Sequence, residues 1–346
     1  MKLLICTQAV DTTDSNLGFF HRWIEEFAAH CEQVIVICLR KGEYQFPSNV
    51  RVLSLGKENG SSRIMRILKF FNYIRDNKNE YDAVFVHMNA EYIVLAGWLW
   101  KRWGKKIGLW YAHKSVTWAL RAAMRFVDVV LTVASGSFNI PSEKLRAVGH
   151  GIDTELFKPD IRESSIETRL ITAGRIASSK HLIEMLGVLD VLYERKEKFT
   201  FTIVGEPITP VEEAYAAKLH TEIDKRPYSD KIQWSGPLLH DHLPKVLGAH
   251  DMFFNFSTTG NMDKAGLEAL AAGLPVLTTN EEFKNLLQPF GLYVASQHPA
   301  IIADALQKFT GQADKDKAGI VATLRNRVVE NHSLPRLISL IVALLK

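Results

Sequence analysis

Cysteine is scarce in this sequence, and its scarcity excludes two classes of small, cross-linked domain. The 346 residues contain only Cys6, Cys31 and Cys38, and no two of them form a Cys-x-x-Cys pair. A disulfide scaffold and a zinc ribbon are therefore excluded, and a reducing compartment is expected. Hydrophobic residues make up 47% and charged residues 23% of the chain, which is typical of a globular protein rather than a disordered or collagen-like one.

Long apolar runs are also missing. The longest cover residues 92–100 and 337–345, well short of the roughly 18–20 residues that a membrane-spanning helix needs. The start, MKLLICTQAV, lacks the longer apolar core and small-residue cleavage site of a signal peptide, so we expect a first buried strand. These observations predict a cytoplasmic protein.

Acidic residues are absent from residues 92–127, although that stretch is rich in basic ones. Seven lysines and arginines and five of the seven tryptophans lie within residues 98–125. Tryptophan combined with lysine is typical of a helix at an anionic membrane surface, but a basic helix with core tryptophans explains the composition equally well. Peripheral membrane contact through 98–125 therefore stays open. Nothing is typical of a nucleic-acid-binding module, and no nucleic-acid partner is expected.

Short runs rich in Val and Ile alternate with helical stretches along the chain. Five such runs precede residue 150, from LLICTQAV to VDVVLTVAS, and about six follow it, from RLITAGRI to GLYVAS. This alternation predicts α/β architecture with doubly wound parallel sheets, and so many strands exceed one core of this size. We predict two Rossmann-like domains facing a cleft, residues 1–152 and 153–332, with a helix at about 333–346 packing back on the first.

Ligands of open parallel sheets bind beyond the carboxyl ends of the strands, so residues that follow strands are the candidates. In STTGNMDKAGLEALAAGLPVL, residues 257–277, a polar loop leads from a strand into a helix. Asp263 is the predicted N-cap, and the free N–H groups of the helix start form an anion site. Glu268 lies one turn inside and suits a ribose diol. An ordinary capped helix with a solvated Glu268 is the alternative, and the residues alone leave both open.

This stretch resembles the donor-binding signature of the retaining GT-B glycosyltransferases of family four, the glycosyl transferases group 1. Four other segments share the resemblance: HGIDTELFKP (150–159), AGRIASSKHLIEML (173–186), TIVGEP (202–207) and SGPLLHDHLPKVLGAHDMFFNFS (235–257). The resemblance is specific over about 148–280 and looser before that. It implies the GT-B fold, with an N-terminal acceptor-binding domain and a C-terminal domain that binds the nucleotide-sugar donor.

The resemblance also assigns residues. Arg175 and Lys180 would hold the donor diphosphate, and the chemistry agrees, because fixed cations stabilise the charge that gathers on the departing nucleoside diphosphate. Gly205 lies at a turn near the nucleotide base, where a missing Cβ lets a ring approach. The predicted catalytic residues are His113, Arg175 and Lys180. The predicted donor-binding residues are Gly18, Arg175, Lys180, Gly205, Gly260, Asn261, Asp263, Lys264 and Glu268.

One position departs from the family pattern, which has two glutamates separated by seven residues. Glu268 matches the second, but the first falls on Gly260. The missing carboxylate would contact the donor sugar. Three explanations stay open: Asp263 supplies the carboxylate from a shifted position, backbone N–H groups hold the sugar, or catalysis is impaired. We favour a variant donor site.

The first domain supplies further candidates. The loop after the first strand retains Gly18 from the family's glycine-rich loop, with Asn16 and His21 nearby. His113 ends the run GLWYAH, and a histidine near neutral pKa suits contacts to sugar hydroxyls or charge stabilisation. The acceptor-side candidates are Asn16, His21, His87 and Lys114.

Two further motifs are interpreted as structural. His240-Asp241-His242 lacks partner ligands and indicates a helix start. The single Asp-x-Asp, residues 314–316, lies in a charged helical run and not after a strand, so no catalytic metal is expected.

The resemblance thus implies an enzyme that transfers a sugar from a UDP- or GDP-linked donor to an acceptor hydroxyl with retention and without a cofactor. The hydroxyl would attack the face that the diphosphate leaves, and a donor phosphate oxygen would take its proton. The acceptor would be lipid-linked or a growing glycan. The alternatives are a sugar-nucleotide-binding protein with little transfer activity and a GT-B nucleotide-sugar epimerase.

Overall fold

The computed structural model describes residues 1–14, 17–160 and 165–346, and the chain forms two compact units. The first unit comprises Met1–Gly151 and His332–Lys346, and the second comprises Ile152–Asn331. Each unit has its own parallel sheet with helices between successive strands. The predicted α/β fold with two parallel-sheet domains is confirmed.

The sheet of the first unit has seven strands within the described residues, all paired in parallel. They are β1 Lys2–Val10, β2 Gln33–Lys41, β3 Val50–Ser54, β4 Ala83–His87, β5 Lys106–Trp110, β6 Val129–Thr132 and β7 Leu145–Ala147. Their order is β3-β2-β1-β4-β5-β6-β7. The helices that connect them are α1 Phe20–His30, α2 Arg63–Asp76, α3 Glu91–Arg102 and α4 Trp118–Ala123.

Two of these strands, β3 and β7, are additional to the five apolar runs predicted before residue 150. Both lie at the edges of the sheet. β3 is half-exposed along its length, and β7 has only three residues, two of them exposed. Edge strands are often short and polar on their open side, so they lack the apolar run by which a central strand such as β4, buried throughout, is predicted.

The sheet of the second unit has five strands in the part of the chain that the structure describes, in the order β10-β9-β8-β11-β12. They are β8 Thr168–Ala173, β9 Phe199–Val204, β10 Ile232–Gly236, β11 Met252–Asn255 and β12 Val276–Thr278. The helices are α5 Leu182–Glu194, α6 Pro210–Asp224, α7 Leu243–Gly248, α8 Lys264–Ala271, α9 Lys284–Leu287, α10 Pro299–Thr310 and α11 Asp314–His332. The predicted strand GLYVAS is wrong, because Tyr293 makes only an isolated bridge to Thr278.

The last helix, α12 Leu334–Leu345, belongs to the first unit. Its sequence, LPRLISLIVALL, places apolar residues on one face, and Leu337, Ile338 and Ile341 are fully buried. This face packs against α1 and against β5 and β6. Hydrophobic burial of this face therefore fixes the end of the chain on the sheet of the first unit.

Strand order reverses at β1 in the first sheet and at β8 in the second. In the second unit, β8 and β9 are each followed directly by a glycine with positive φ, Gly174 at 135° and Gly205 at 136°. A Cβ on Gly205 would lie 1.9 Å from the carbonyl oxygen of Gly174. Gly205 also donates its N–H to the Gly236 oxygen at 2.8 Å and accepts from Trp234 Nε1 at 3.0 Å. Close backbone packing therefore requires a glycine at position 205.

We expect Gly205→Ala to lower the free energy of unfolding by about 3 kcal/mol or more, because it adds backbone strain to a steric overlap. Gly291→Ala is the matched control, since Gly291 also has a positive φ, 70°, but a Cβ there meets no atom within 4 Å. It should cost only about 1 kcal/mol. Denaturant unfolding monitored by circular dichroism measures both, and equal losses would contradict the packing argument.

Candidate functional site

The loops that follow β8 and β11 are tied together at the switch point of the second sheet. The N–H of Thr258 donates to the Ser179 oxygen at 3.1 Å, and the Thr258 hydroxyl lies 2.9 Å from His181 Nε2. His181 adopts a left-handed conformation, φ 56°, between a turn of 3₁₀ helix and α5. These contacts fix the position of Lys180, the last residue of that turn, beside the loop that precedes α8.

Lys180 forms an ion pair with Asp263. Its Nζ donates to Asp263 Oδ2, and both side chains are largely buried, at 20% and 14% exposure. Asp263 occupies the N-cap position of α8, yet its side chain makes no capping hydrogen bond. Asp263 is thus at the predicted N-cap position, but its carboxylate is bound by Lys180 and not by the N–H groups of the helix. The structure thus brings Lys180, Asp263 and the start of α8 into one site.

A buried carboxylate lies one turn further into α8. Glu268 is 4% exposed, and its Oε1 accepts from His240 Nε2 at 2.7 Å and from Lys264 Nζ at 2.9 Å. Lys264 Nζ and His240 Nε2 are themselves 3.3 Å apart. Burial alone would raise the pKa of Glu268, but Lys264 and the hydrogen bond from His240 lower it to about 2. Glu268 is therefore an ionised carboxylate at neutral pH.

His240 is the functional candidate that the sequence analysis missed. The motif does mark a helix start, because His242 is the N-cap of α7, but His240 lies two residues earlier and contacts Glu268. Its ring makes an edge-to-face contact with buried Phe157, with ring centroids 5.1 Å apart. Lys264 and Glu268 have the i, i+4 spacing that predicts a helical ion pair, whereas no local pattern connects residue 240 to α8.

Arg175 lies just after β8 with its side chain half-exposed, at 51%, and its Nε is 3.2 Å from Glu212 Oε1. Glu212 and Thr209 form the capping box at the start of α6. Burial would raise the pKa of Glu212, but the N–H of Ile208, Arg175 and Thr209 lower it. Both cations predicted to hold a diphosphate thus lie on the segment that follows β8, each beside a carboxylate.

Gly260 adopts a left-handed conformation, φ 69°. A side chain at this position would strain the backbone by roughly 1–2 kcal/mol, so the loop disfavours a glutamate here. The next residue, Asn261, is fixed by its backbone oxygen, which accepts from Asn280 Nδ2 at 2.9 Å. Position 260 contributes backbone to the site, and Asp263 is the nearest carboxylate along the loop.

The first unit holds the remaining predicted residues, apart from Asn16, which lies outside the described residues. A Cβ on Gly18 would lie 2.7 Å from the Asp14 oxygen, so a tight loop explains this glycine. His21 stacks on Phe46 with centroids 4.2 Å apart, and its Nδ1 is 3.4 Å from Glu25 Oε1. Burial lowers the pKa of His21, partly opposed by Glu25.

The two other histidine candidates differ in exposure. His87 is 4% exposed and stacks on Phe20 at 4.2 Å, and burial lowers its pKa to about 3. His87 was an acceptor-side candidate, but the structure places it in the core of the first unit. His113 is exposed three residues after β5, and its Nδ1 accepts from the N–H of Ser115 at 2.9 Å. Lys114 beside it is also exposed.

The tryptophan-rich segment 98–125 is divided between core and surface. Trp100 and Trp110 are buried, whereas Trp98 is 53% and Trp118 73% exposed. Lys101 pairs with Asp128, which lies just outside the segment. Among the described residues, no helix combines the length and apolarity needed to cross a membrane, and no three His, Cys, Asp or Glu side chains come together as a metal site would require.

A family model and one curated relative match part of this chain. Residues 153–310 match the family model described as glycosyl transferases group 1. Mannosylfructose-phosphate synthase from Agrobacterium fabrum is 24% identical over 162 residues, which are 44% of this chain and 36% of that protein. The match thus spans only about a third of the length of that relative.

Solved structures resemble the chain over nearly its whole length. HepE from Anabaena, in complex with UDP and glucose, superimposes with a TM-score of 0.75 at 15% identity, over 99% of this chain and 98% of that one. Sucrose-phosphate synthase from Thermosynechococcus elongatus gives a TM-score of 0.73 at 14% identity, over 99% and 98%. At such low identity these similarities establish the fold, which is GT-B.

The cluster around Glu268 generates a prediction on pH. We expect Lys264→Met to raise the Glu268 pKa from about 2 toward or above its ordinary value of 4.5, since burial is then less opposed. A lowered folded-state pKa stabilises the protein above the unfolded pKa, and that contribution disappears as pH falls through the folded value. The variant should therefore lose less stability than the parent between about pH 4.5 and pH 2.

Carboxyl NMR titration with unfolding curves across this pH range measures both effects. Lys245→Met, at an exposed position on α7, is the matched control and should leave the Glu268 titration unchanged. A Glu268 pKa that stays near 2 in Lys264→Met would show that Lys264 does not hold the carboxylate ionised.

Proposed function

We propose that this chain, whose residues 153–310 match the family model of the glycosyl transferases group 1, transfers a sugar from a nucleoside-diphosphate sugar to an acceptor hydroxyl. The observation that carries the proposal is the site at the start of α8. There a buried, ionised Glu268 lies beside Lys264, and Lys180 reaches the same loop. Cations for a diphosphate and a carboxylate for a ribose are thus present on one unit.

Arg175 and Lys180 are the residues that we propose bind the donor diphosphate. Arg175 and Lys180 follow β8, where a parallel sheet offers its ligand site. Each has a carboxylate partner, Glu212 for Arg175 and Asp263 for Lys180. We propose that donor phosphate oxygens take over these contacts. A cation near the leaving oxygen then stabilises the transition state more than the ground state, because charge develops there as the glycosidic bond breaks.

The ribose is assigned to Glu268. Its carboxylate is ionised and held in place by His240 and Lys264, so it is oriented before a ligand arrives. Carboxylates that accept from ribose hydroxyls are common in nucleotide-binding folds. The solved complex of HepE with UDP and glucose supports a uridine nucleotide as the donor.

For the sugar, we propose that backbone N–H groups at residues 260–262 and the Asp263 carboxylate replace the glutamate that position 260 lacks. Transfer then proceeds with retention: the acceptor hydroxyl attacks the face that the diphosphate leaves, and a donor phosphate oxygen takes the proton. Fixed cations, Arg175 and Lys180, supply the charge stabilisation in this scheme. The acceptor is assigned to the first unit, with His113 and Lys114 exposed after β5.

A sugar-nucleotide-binding protein with little transfer activity is the second candidate, because Gly260 places no carboxylate at its position. Turnover distinguishes the two. Release of free nucleoside diphosphate that depends on an added acceptor supports transfer, whereas tight donor binding without turnover against any acceptor supports the binding protein.

We expect Arg175→Ala and Lys180→Ala each to lower kcat by about 10²–10³, because each removes stabilisation of leaving-group charge. Lys245→Ala, on the exposed face of α7, is the matched control and should retain full activity. The measurement is nucleoside-diphosphate release under saturating donor, with circular dichroism to confirm folding. Near-normal turnover in both variants would contradict the diphosphate assignment.

We expect Glu268→Gln to weaken nucleotide binding by about tenfold to a hundredfold, the range for hydrogen bonds to a charged group. The loss should be equal for a nucleoside diphosphate with and without its sugar, because the contact is to the ribose. Glu213→Gln, in the first turn of α6, serves as control. Calorimetry that shows unchanged affinity for every nucleotide tested would leave Glu268 as a structural helix residue.

A further inference from the structure

A mainly apolar groove opens on the first unit, at the carboxyl edge of its sheet. It has a volume of about 320 Å³ and lies between α2 and α3, with Trp118 at the start of α4 also on its wall. Its apolar lining includes Leu55, which follows β3, and Ile67, Phe70, Tyr92, Leu95 and Trp118. Ligands bind at the carboxyl edges of open parallel sheets, so the groove lies at a ligand position while most of its lining is apolar.

The surface beside the groove is apolar as well. On the first turns of α2, Ile64 is 73%, Met65 49% and Leu68 54% exposed. Across the opening, Trp118 is 73% exposed. Single exposed apolar residues are ordinary, but a group of them continuous with an apolar groove marks an interaction site.

The charge on the groove is predominantly positive. Arg63 and Arg66 line it, and in the described part of the chain neither has a carboxylate within 4.0 Å. Glu91, at the start of α3, is the acidic side chain on the lining. The first acidic residue within α2 is Asp76, at its last position. An anionic group therefore has two arginines to bind at the edge of an apolar channel.

We infer that this groove binds the hydrocarbon chain of an anionic amphiphile, whose charged head is bound by Arg63 and Arg66. A polar ligand would leave the walls of Ile67, Phe70 and Leu95 without matching contacts, whereas a chain buries them. Identifying this amphiphile with the acceptor of the sugar rests on the proposed transferase function. Binding of the amphiphile's hydrocarbon chain in the groove does not depend on that function.

Dodecyl phosphate, below its micelle concentration, is the probe, and calorimetry on the full chain without any donor is the measurement. Each buried methylene adds roughly fourfold to affinity, so butyl phosphate should bind at least a hundredfold more weakly. Arg63→Gln with Arg66→Gln should weaken dodecyl phosphate at least tenfold and leave dodecyl maltoside, which has no charge, unchanged.

Two variants test the groove walls. Leu95→Trp fills the groove, and Trp118→Ala removes an exposed part of its wall without leaving a cavity in the core. Each should lower the affinity for dodecyl phosphate at least tenfold. Trp98→Ala, an exposed tryptophan on α3 outside the lining, and Arg75→Gln, an exposed arginine on α2, are the matched controls and should bind normally.

Equal affinity for dodecyl and butyl phosphate would overturn the inference, since it would reveal an anion site alone. Binding that Leu95→Trp and Trp118→Ala leave unchanged, or that Trp98→Ala weakens as much, would show adsorption to the general surface and would also overturn it. Chain binding by a protein that transfers no sugar would contradict only the proposed function. Sugar transfer to a soluble acceptor without chain binding would contradict only this inference.

Discussion

The buried carboxylate of Glu268 is the constraint on which the candidate site depends. An unpaired charge at 4% exposure would be strongly destabilising, so α8 must bring Lys264 within reach one turn earlier and the segment after β10 must bring His240. The distances of 2.7 and 2.9 Å to the same oxygen show that both conditions are met. Because the three side chains come from two separate segments, pairing this charge also fixes the loop at 240 against the start of α8. The electrostatic requirement thus shapes the backbone around the proposed nucleotide site.

Glycine geometry supplies the second constraint. Gly174 and Gly205 directly follow neighbouring strands and have positive φ, and the Gly174 oxygen lies where a Cβ of residue 205 would be. A Cβ at Gly174 would be in van der Waals contact with Lys180, with Nζ 3.4 Å away. A side chain at position 205 would overlap the Gly174 oxygen and move the two loops apart, whereas at position 174 the positive φ is what favours glycine. The close approach of two strand ends therefore determines where the cations after β8 are held, and a requirement of packing coincides with a requirement of chemistry.

The sequence predicts most of the fold because its signals are local. The helical stretches predicted between the apolar runs are found, for example, as α2, Arg63–Asp76, and α6, Pro210–Asp224. The edge strands β3 and β7 escape prediction because partial exposure removes their apolar pattern. The site is predictable only as far as neighbours in sequence define it: Lys264 and Glu268 share a helix face, whereas His240 reaches them through the tertiary fold. Likewise, nothing local distinguishes His87, which is buried on Phe20, from exposed His113.

The acid partners of Arg175 and Lys180 give the site a definite state before any donor binds. A cation that already pairs with a carboxylate loses few side-chain conformations when a phosphate replaces that carboxylate. The entropy cost of ordering the side chain therefore does not weaken donor binding. The exchange is nearly balanced in charge, since one anionic partner replaces another. Lys180 is largely shielded from water, at 20% exposure, so its electrostatic interaction with an anion is strong. The interactions of half-exposed Arg175 are screened more by solvent. Lys180 is therefore the cation whose position the structure determines most closely, and its partner Asp263 stands on the same loop that would meet the donor sugar. Displacing Asp263 from Lys180 would release a carboxylate at the point where the loop, with Gly260, otherwise offers only backbone.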